Sequence, residues 1–141
     1  MSIDDRLSSW AELRTNLENS KDPFRDTWDF WCQAPFIPYN NKVDPYHYQS
    51  WPNPWSLIVD NRYDDFTKAI MIAWTIKLTK RFQDSKVVIQ TLVDKQKSTQ
   101  YNVVIIDEEW VINYSDNGPI SAKSMPISFY LENLIELETP R

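Results

Sequence analysis

Trp55-Ser-Leu-Ile-Val-Asp-Asn-Arg-Tyr-Asp-Asp-Phe66 runs directly into the helical pattern of Thr67 to Phe82, and this junction decides the fold. Phe66, Ile70, Ala73, Trp74 and Ile76-Lys77-Leu78 put apolar side chains over more than half of a helix surface. Such a helix belongs at the centre of a domain, here over about residues 62–82. Asp60 or Asn61 is suited to cap it, and Asp64 and Asp65 in its first turn suit the helix dipole.

Beyond the helix the pattern alternates as strands do. Val87-Val-Ile and Leu92-Val93 read as a first strand, and Val103 to Ile106 and Trp110 to Tyr114 as a hairpin turning at Asp107-Glu-Glu109. Ser124-Met-Pro126 opens a final helix, with Ile127, Tyr130, Leu131, Leu134 and Ile135 along one side. The expected core includes Phe66, Ile70, Ala73, Trp74, Val88, Val104, Ile106, Val111 and Leu131. The fold class is α+β, with one buried helix packed on a three-stranded antiparallel sheet.

Before the junction the texture is different. Residues 1–21 hold Ile3, Leu7, Trp10, Leu13 and Leu17 at spacings of three and four, an amphipathic helix closed by the approach to Pro23. Residues 22–57 contain six of the nine prolines and ten of the twenty aromatic residues. Prolines predict an irregular strap there, with one short helix around Asp26 to Cys32. Aromatic surface on this scale must be covered, either by the domain itself or by a partner. Trp10, Trp28, Trp31, Tyr46, Tyr48, Trp51 and Trp55 are the candidate partner-binding rings, because Trp and Tyr dominate interface hot spots. Residues 58–141 complete the α+β core of a single domain, 1–141.

Composition narrows the function classes. The 141 residues carry a formal charge of −5 and a pI near 4.8, which argues against a nucleic-acid backbone as ligand. One glycine, Gly118, excludes a phosphate-binding loop, a dinucleotide fingerprint and a Gly-x-Ser-x-Gly elbow, each of which needs several. No basic and apolar leader opens the sequence, and its longest mostly apolar run, Ala69 to Ile76, is far short of the roughly 20 residues that span a bilayer. Neither a membrane nor secretion by a standard signal is expected. With one cysteine, Cys32, there is no internal disulfide and no cysteine-rich metal site. No cofactor and no metal is expected.

Tyr63-Asp64-Asp65-Phe66 at a loop-to-helix junction resembles the catalytic helix start of transglutaminase-like (papain-like) domains. In that family a cysteine opens a buried helix, the next strands supply a histidine and then an aspartate or asparagine, and the helix dipole activates the thiol. The resemblance covers about residues 51–115. It implies a nucleophile position at Tyr63 or Asp64, a base position at Tyr101 or Asn102, and an orienting position at Asn113. Nucleophile and base are both substituted, so the resemblance implies a pseudoenzyme with a fossil site, in which Tyr63, Asp64, Tyr101, Asn102 and Asn113 cluster and bond to each other. Asp44-Pro45-Tyr46 and Ser50-Trp51-Pro52-Asn53-Pro54-Trp55 are in addition similar to small proteins of myovirus-type tailed phages of marine bacteria. That similarity implies a structural protein of the virion or its assembly, held by other protein subunits, present in the host cytoplasm and then in the virion.

Three other constellations bear on function. Cys32 and His47, with Asn113 or a carboxylate, define the alternative: a small cysteine hydrolase or transferase. Cys32 lies among Trp28, Phe30 and Trp31, company that usually means a buried small hydrophobe. Asp60, Asp64 and Asp65 have the oxygen chemistry of a hard-cation site without its loop spacing, and capping is the expected use. Glu132, Glu136 and Glu138 read as a solvated acidic face.

Overall fold

The computed structural model describes residues 1–138. Among them are four α-helices, α1 (Ile3–Leu17), α2 (Pro23–Trp31), α3 (Pro54–Asp60) and α4 (Asp65–Lys77), followed by strands β1 (Val87–Asp94), β2 (Thr99–Ile106), β3 (Trp110–Ser115), β4 (Gly118–Ser121) and β5 (Tyr130–Glu136). The five strands form one sheet in the order β4-β3-β2-β1-β5, antiparallel throughout. The class is therefore α+β, with five strands in place of the expected three. Among the described residues no helix is long and apolar enough to cross a membrane.

Helix α4 is the buried helix that its composition requires. Ala69, Ile70, Met71, Ile72, Ala73 and Ile76 are fully buried, packed with Val87, Ile89, Val104, Ile106 and Ile112 on one face of the sheet. It starts at Asp65 and ends at Lys77, inside the expected 62–82. The cap is Asp64, whereas Asn61 ends α3 in the left-handed region at φ 55°. Of the expected core, Trp74 is only half-buried and Leu131 lies on the outer face of the sheet, exposed.

The strap is more regular than its prolines suggest. Pro23 and Pro54 each occupy the first position of a helix, where a missing N–H costs nothing. Asp22 caps α2 and Asn53 caps α3 through their side chains. Tyr48–Ser50 adds a short 3-10 turn.

The expected C-terminal helix is a strand. β5 pairs with β1 from Val88↔Glu136 to Val93↔Tyr130, and the register shifts between Thr91↔Asn133 and Leu92↔Leu131. Glu132 is the extra residue of this bulge. Because of it Leu131 and Leu134, three apart, share the face of Leu92 and Gln90, a spacing that imitates a helix. Pairing with the backbone of β1 overrides the local pattern.

Two indoles converge on one hydroxyl beneath these layers. Trp10 Nε1 of α1 and Trp31 Nε1 of α2 donate to Thr75 Oγ1 of α4 at 2.8 and 2.9 Å, and Thr75 Oγ1 donates to the Met71 carbonyl. All hydrogen-bonding capacity of that hydroxyl is in use. On the far side, Arg25 of α2 donates to the Asn117 carbonyl at 2.7 Å, tying α2 to the β3–β4 turn. Gly118 is next, at φ 107°, and a Cβ there would stand 2.5 Å from the Arg25 guanidinium. The backbone angle is what requires the chain's one glycine; a Cβ would also displace the Arg25 guanidinium from the Asn117 carbonyl.

Thr75→Val should lower unfolding free energy by about 2–6 kcal/mol, since it strands two buried indole donors at about 1–3 kcal/mol each. Thr75→Ser, which keeps the hydroxyl, should cost about 1 kcal/mol. Urea denaturation followed by tryptophan fluorescence measures both, and equal losses would refute the account.

Candidate functional site

The start of α4 gathers Asp64 and Asp65 with Asn102 of β2 and Asn113 of β3. Asp64 is extended at φ −82° and ψ −179°, and its Oδ1 accepts from Thr67 N at 2.7 Å and Thr67 Oγ1 at 2.6 Å. Its Oδ2 accepts from Asn40 N at 3.0 Å, and Asn40 Nδ2 reaches the Arg62 carbonyl at 3.1 Å. Asp64 therefore closes two gaps, the first turn of the helix and the loop that passes over it.

Asp65 is the hub of the polar cluster. Its Oδ2 accepts from Asn102 Nδ2 at 3.0 Å and from Asn102 N at 3.3 Å, and its Oδ1 accepts from Asn113 Nδ2 at 3.3 Å. Asn113 Nδ2 also donates to the Asn102 carbonyl at 2.8 Å, and Thr91 Oγ1 donates to Asn102 Oδ1 at 2.9 Å. The reason lies in the sheet. β2 and β3 pair only from Val104↔Ile112 to Ile106↔Trp110. Beyond that point Asn113 turns to φ 74°, and between Val111↔Ile120 and Ser115↔Gly118 the register of β3 against β4 shifts. The strands splay, which leaves the N–H and C=O of Asn102 without ladder partners. Asp65 and the Asn113 amide supply them.

The five positions implied by the family resemblance thus separate. Asn102 and Asn113 meet, through Asp65, and Asp64 caps beside them. Tyr101 does not join: alternation along β2 turns it to the other face of the sheet, where it stacks on Phe129 with ring centroids 5.3 Å apart. Tyr63 does not join either. Its backbone pairs with the strap, Tyr63 N to the Pro35 carbonyl and Ile37 N to the Tyr63 carbonyl, and this turns its ring away from the sheet. The ring lies edge-on to Trp31 at 5.3 Å, and its hydroxyl donates to the Leu57 carbonyl at 3.1 Å. Burial pushes the Tyr63 phenol up to about 12, opposed by Arg6 and assisted by Asp60.

The sequence marks Asp65 as a dipole-compensating acid and as one of three carboxylates with cation-site chemistry, not as a partner of Asn102 and Asn113. It lies within the run Tyr63 to Phe66, but its partners depend on the splay at Asn113.

The aromatic candidates are used mainly inside the domain. Trp10, Trp28 and Trp31 are buried, so as partner-binding residues they are corrected to core, each with a ring or donor neighbour of its own. Trp28 packs beneath Lys68 at 5.1 Å. Tyr48 and Trp51 are half-buried against the core, Trp51 Nε1 donating to the Asp44 carbonyl at 2.6 Å and Tyr48 accepting from Glu138 N at 3.2 Å. Tyr46 and Trp55 remain open, at 62% and 44% exposure. Trp55 lies edge-on to Trp10 at 5.7 Å, with the Arg14 guanidinium 4.2 Å above the Trp10 ring. Partial burial lowers the pKa of Arg14.

Cys32 is exposed, a correction to its expected burial: it comes after α2 as the cap residue, outside the packed stripe. Its Sγ donates to the Asp29 carbonyl at 3.3 Å, while His47 Nδ1 lies 2.7 Å from Asp44 Oδ2. Thiol and imidazole have separate partners. Asp60 meets Lys42 at 3.0 Å, apart from the work of Asp64 and Asp65. Among the described residues no group of three or more His, Cys, Asp or Glu converges as a metal site requires. A cavity of about 610 Å3 opens between α1, the end of α2 and the α3–α4 junction, with Trp31, Ile58 and Tyr63 in its floor and Leu13, Phe30 and Arg6 in its walls. The polar atoms of Trp31 and Tyr63 already face inward to Thr75 and Leu57. No protein-family model, curated protein or solved structure matches the chain.

Asp65→Ala should cost about 2–4 kcal/mol, because it removes three hydrogen bonds to a carboxylate and leaves Asn102 N–H unpaired in a buried strand. Asp65→Asn, which keeps one acceptor oxygen, should cost less than half of that in the same urea titration. Tyr63 gives a second test. A phenol whose pKa is raised on folding contributes stability that is complete below its unfolded value of 10 and is lost as pH rises toward about 12. The wild type should therefore lose on the order of 2 kcal/mol across that window relative to Tyr63→Phe. Parallel pH profiles for the two proteins would refute this.

Proposed function

We propose that this chain is a non-catalytic subunit that acts by docking on other protein chains, a component of a tailed-phage virion or its assembly on a transglutaminase-like core whose catalytic positions are substituted. The observation that carries the reading is the saturated helix start. A thiol enzyme of this layout needs, at that point, a nucleophile with a free path to substrate and a base beside it. Asp64, Asp65, Asn102 and Asn113 instead spend their polar atoms on the backbone and on each other. Their chemistry is that of a seal between a helix and a splayed sheet.

The docking half of the reading is supported by what stays open once the core is made. Phe36, Tyr39 and Tyr46 along the strap, and Tyr130, Leu131 and Leu134 on β5, leave apolar surface in water. The phage half rests on the similarity of residues 44–46 and 50–55 to tailed-phage proteins. The hydrolase alternative draws no support from Cys32 and His47, whose polar contacts run to Asp29 and Asp44.

In lysates of phage-infected host cells, the affinity-tagged chain should retain identified virion proteins in near-stoichiometric amount. A chain that stays monomeric at all concentrations and retains no virion protein overturns the reading. Amide or ester turnover abolished by Cys32→Ala overturns it in favour of the alternative.

A further inference from the structure

The two edges of the sheet are built differently. β4, at one edge, is four residues long, contains Pro119, and its turn is held by Arg25. Short length and proline are common guards against added strands. β5, at the other edge, is seven residues long with no proline and no lysine.

The register identifies which β5 groups are free. Leu137 N donates to the Val87 carbonyl, which makes Val87 and Leu137 a bonded position opposite β1. Bonded and non-bonded pairs alternate along an antiparallel ladder. Ile89↔Ile135 and Thr91↔Asn133 are therefore bonded to β1, whereas at Leu134 and Glu136, opposite Gln90 and Val88, the N–H and C=O point away from the sheet. Among the described residues nothing accepts from or donates to those backbone groups. The side chains beside them are apolar and acidic. Tyr130, Leu131 and Leu134 are 54%, 45% and 49% exposed; Glu136 shares the outer face with Leu134, Glu132 at the bulge accepts from Gln100 Nε2 at 2.9 Å, and Lys95 lies 4.6 Å over the Tyr130 ring. A groove of about 210 Å3 lies alongside on the outer face, floored by Val88, Ile105 and Leu134 and edged by Glu108 and Glu136. Its cation, Lys86, is held by Glu108 at 3.0 Å.

Resting on the docking reading above, we propose that the open edge of β5 takes an extended segment of a partner protein as an added strand, with a basic and an apolar residue two apart on its outer face. Main-chain bonds from Leu134 and Glu136 supply the register, and alternate side chains supply the selectivity. Leu134 and Glu136 share the outer face, so on that face an apolar residue of the partner covers Leu134 and a basic one, two residues along, meets Glu136. Charge decides against a second copy as occupant: antiparallel pairing of β5 with itself would gather Glu132 and Glu136 of both chains at one seam, between two molecules each of formal charge −5.

The test uses an acetylated octapeptide of the repeat Lys-Lys-Val-Val, which puts Lys and Val on each face of the strand, with the Glu-Glu-Val-Val repeat as control. The Lys–Val peptide should shift the amide resonances of Leu134 and Glu136 and slow their hydrogen exchange at least tenfold, and the Glu–Val peptide should bind at least tenfold more weakly. Leu134→Pro removes an outward N–H that β1 does not use, so it should leave the circular dichroism and urea midpoint near wild type and weaken the Lys–Val peptide at least tenfold. If Leu134→Pro does not fold, Glu132→Lys with Glu136→Lys decides instead, by reversing the peptide preference. Equal binding to wild type and variants, no preference between peptides, or protection confined to other residues overturns the proposal. So does a concentration-dependent dimer abolished by Leu134→Pro, which would give the edge to a second copy. If wild type and Leu134→Pro retain the same virion proteins, the edge assignment falls and the docking reading stands. If neither retains any, the docking reading falls first.

Discussion

One buried hydroxyl organises the helical layer. Thr75 sits in the last turn of α4 with no solvent contact, and its oxygen accepts the indole N–H of Trp10 from α1 and of Trp31 from α2. Tryptophan in a core contributes a large apolar area but brings a donor that must be satisfied. Here two such donors share one acceptor, so the positions of three helices are not independent: a shift of α1 or α2 breaks a bond that neither water nor another side chain can replace. Trp31 carries the constraint onward, edge-on to Phe30 at 5.1 Å and to Tyr63 at 5.3 Å, and Tyr63 in turn binds the strap at Pro35 and Ile37. Most of the aromatic residues that looked available for partners are drawn inward by this chain of contacts.

The sheet side depends on a different device. Where β2 and β3 diverge, two polar side chains, Asp65 of α4 and Asn113 of β3, take over the bonds that a regular ladder would have made to Asn102. Asn113 is suited to its place because asparagine tolerates the left-handed region and its amide is short enough to return to Asn102. A carboxylate and two carboxamides at the mouth of a buried helix look like remnants of catalysis in the sequence. Their geometry gives each a reason to be there that needs no substrate.

The legible parts of the fold were those specified by local pattern. α4 declares itself by apolar coverage, and β1, β2 and β3 by runs such as Val103 to Ile106. The turn at Asp107 and Glu108 was also legible, and both residues adopt positive φ, 52° and 62°, as a tight hairpin demands. The illegible parts were non-local. Leu131 and Leu134 imitate a helix only because Glu132 is bulged out against β1. Pro23 and Pro54 look like breakers until a capping Asp22 or Asn53 makes them helix starts. β4 is too short, and too interrupted by Pro119, to register. In the candidate site, Asp64 was legible as an acid at a helix start, whereas the role of Asp65 exists only once the strands splay.

Within the described residues, irregular backbone is repeatedly closed by a side chain from elsewhere in the chain. Asp65 and Asn113 close the splay at Asn102. Asp64 closes the loop at Asn40, and Glu18, the cap residue of α1, accepts from both Lys80 N and Arg81 N at 2.9 Å after α4 ends. The chain has side chains to spare for such work, with a quarter of its residues charged. Against that background the outward groups of Leu134 and Glu136 stand apart, because their strand is long, lies at an edge, and receives no such side chain. Exposed backbone bonds to water at little cost, so stability does not require the edge to be closed. A domain that closes its irregular backbone this repeatedly while leaving the outward groups of Leu134 and Glu136 unbonded beside an exposed leucine has its most adhesive main chain facing outward.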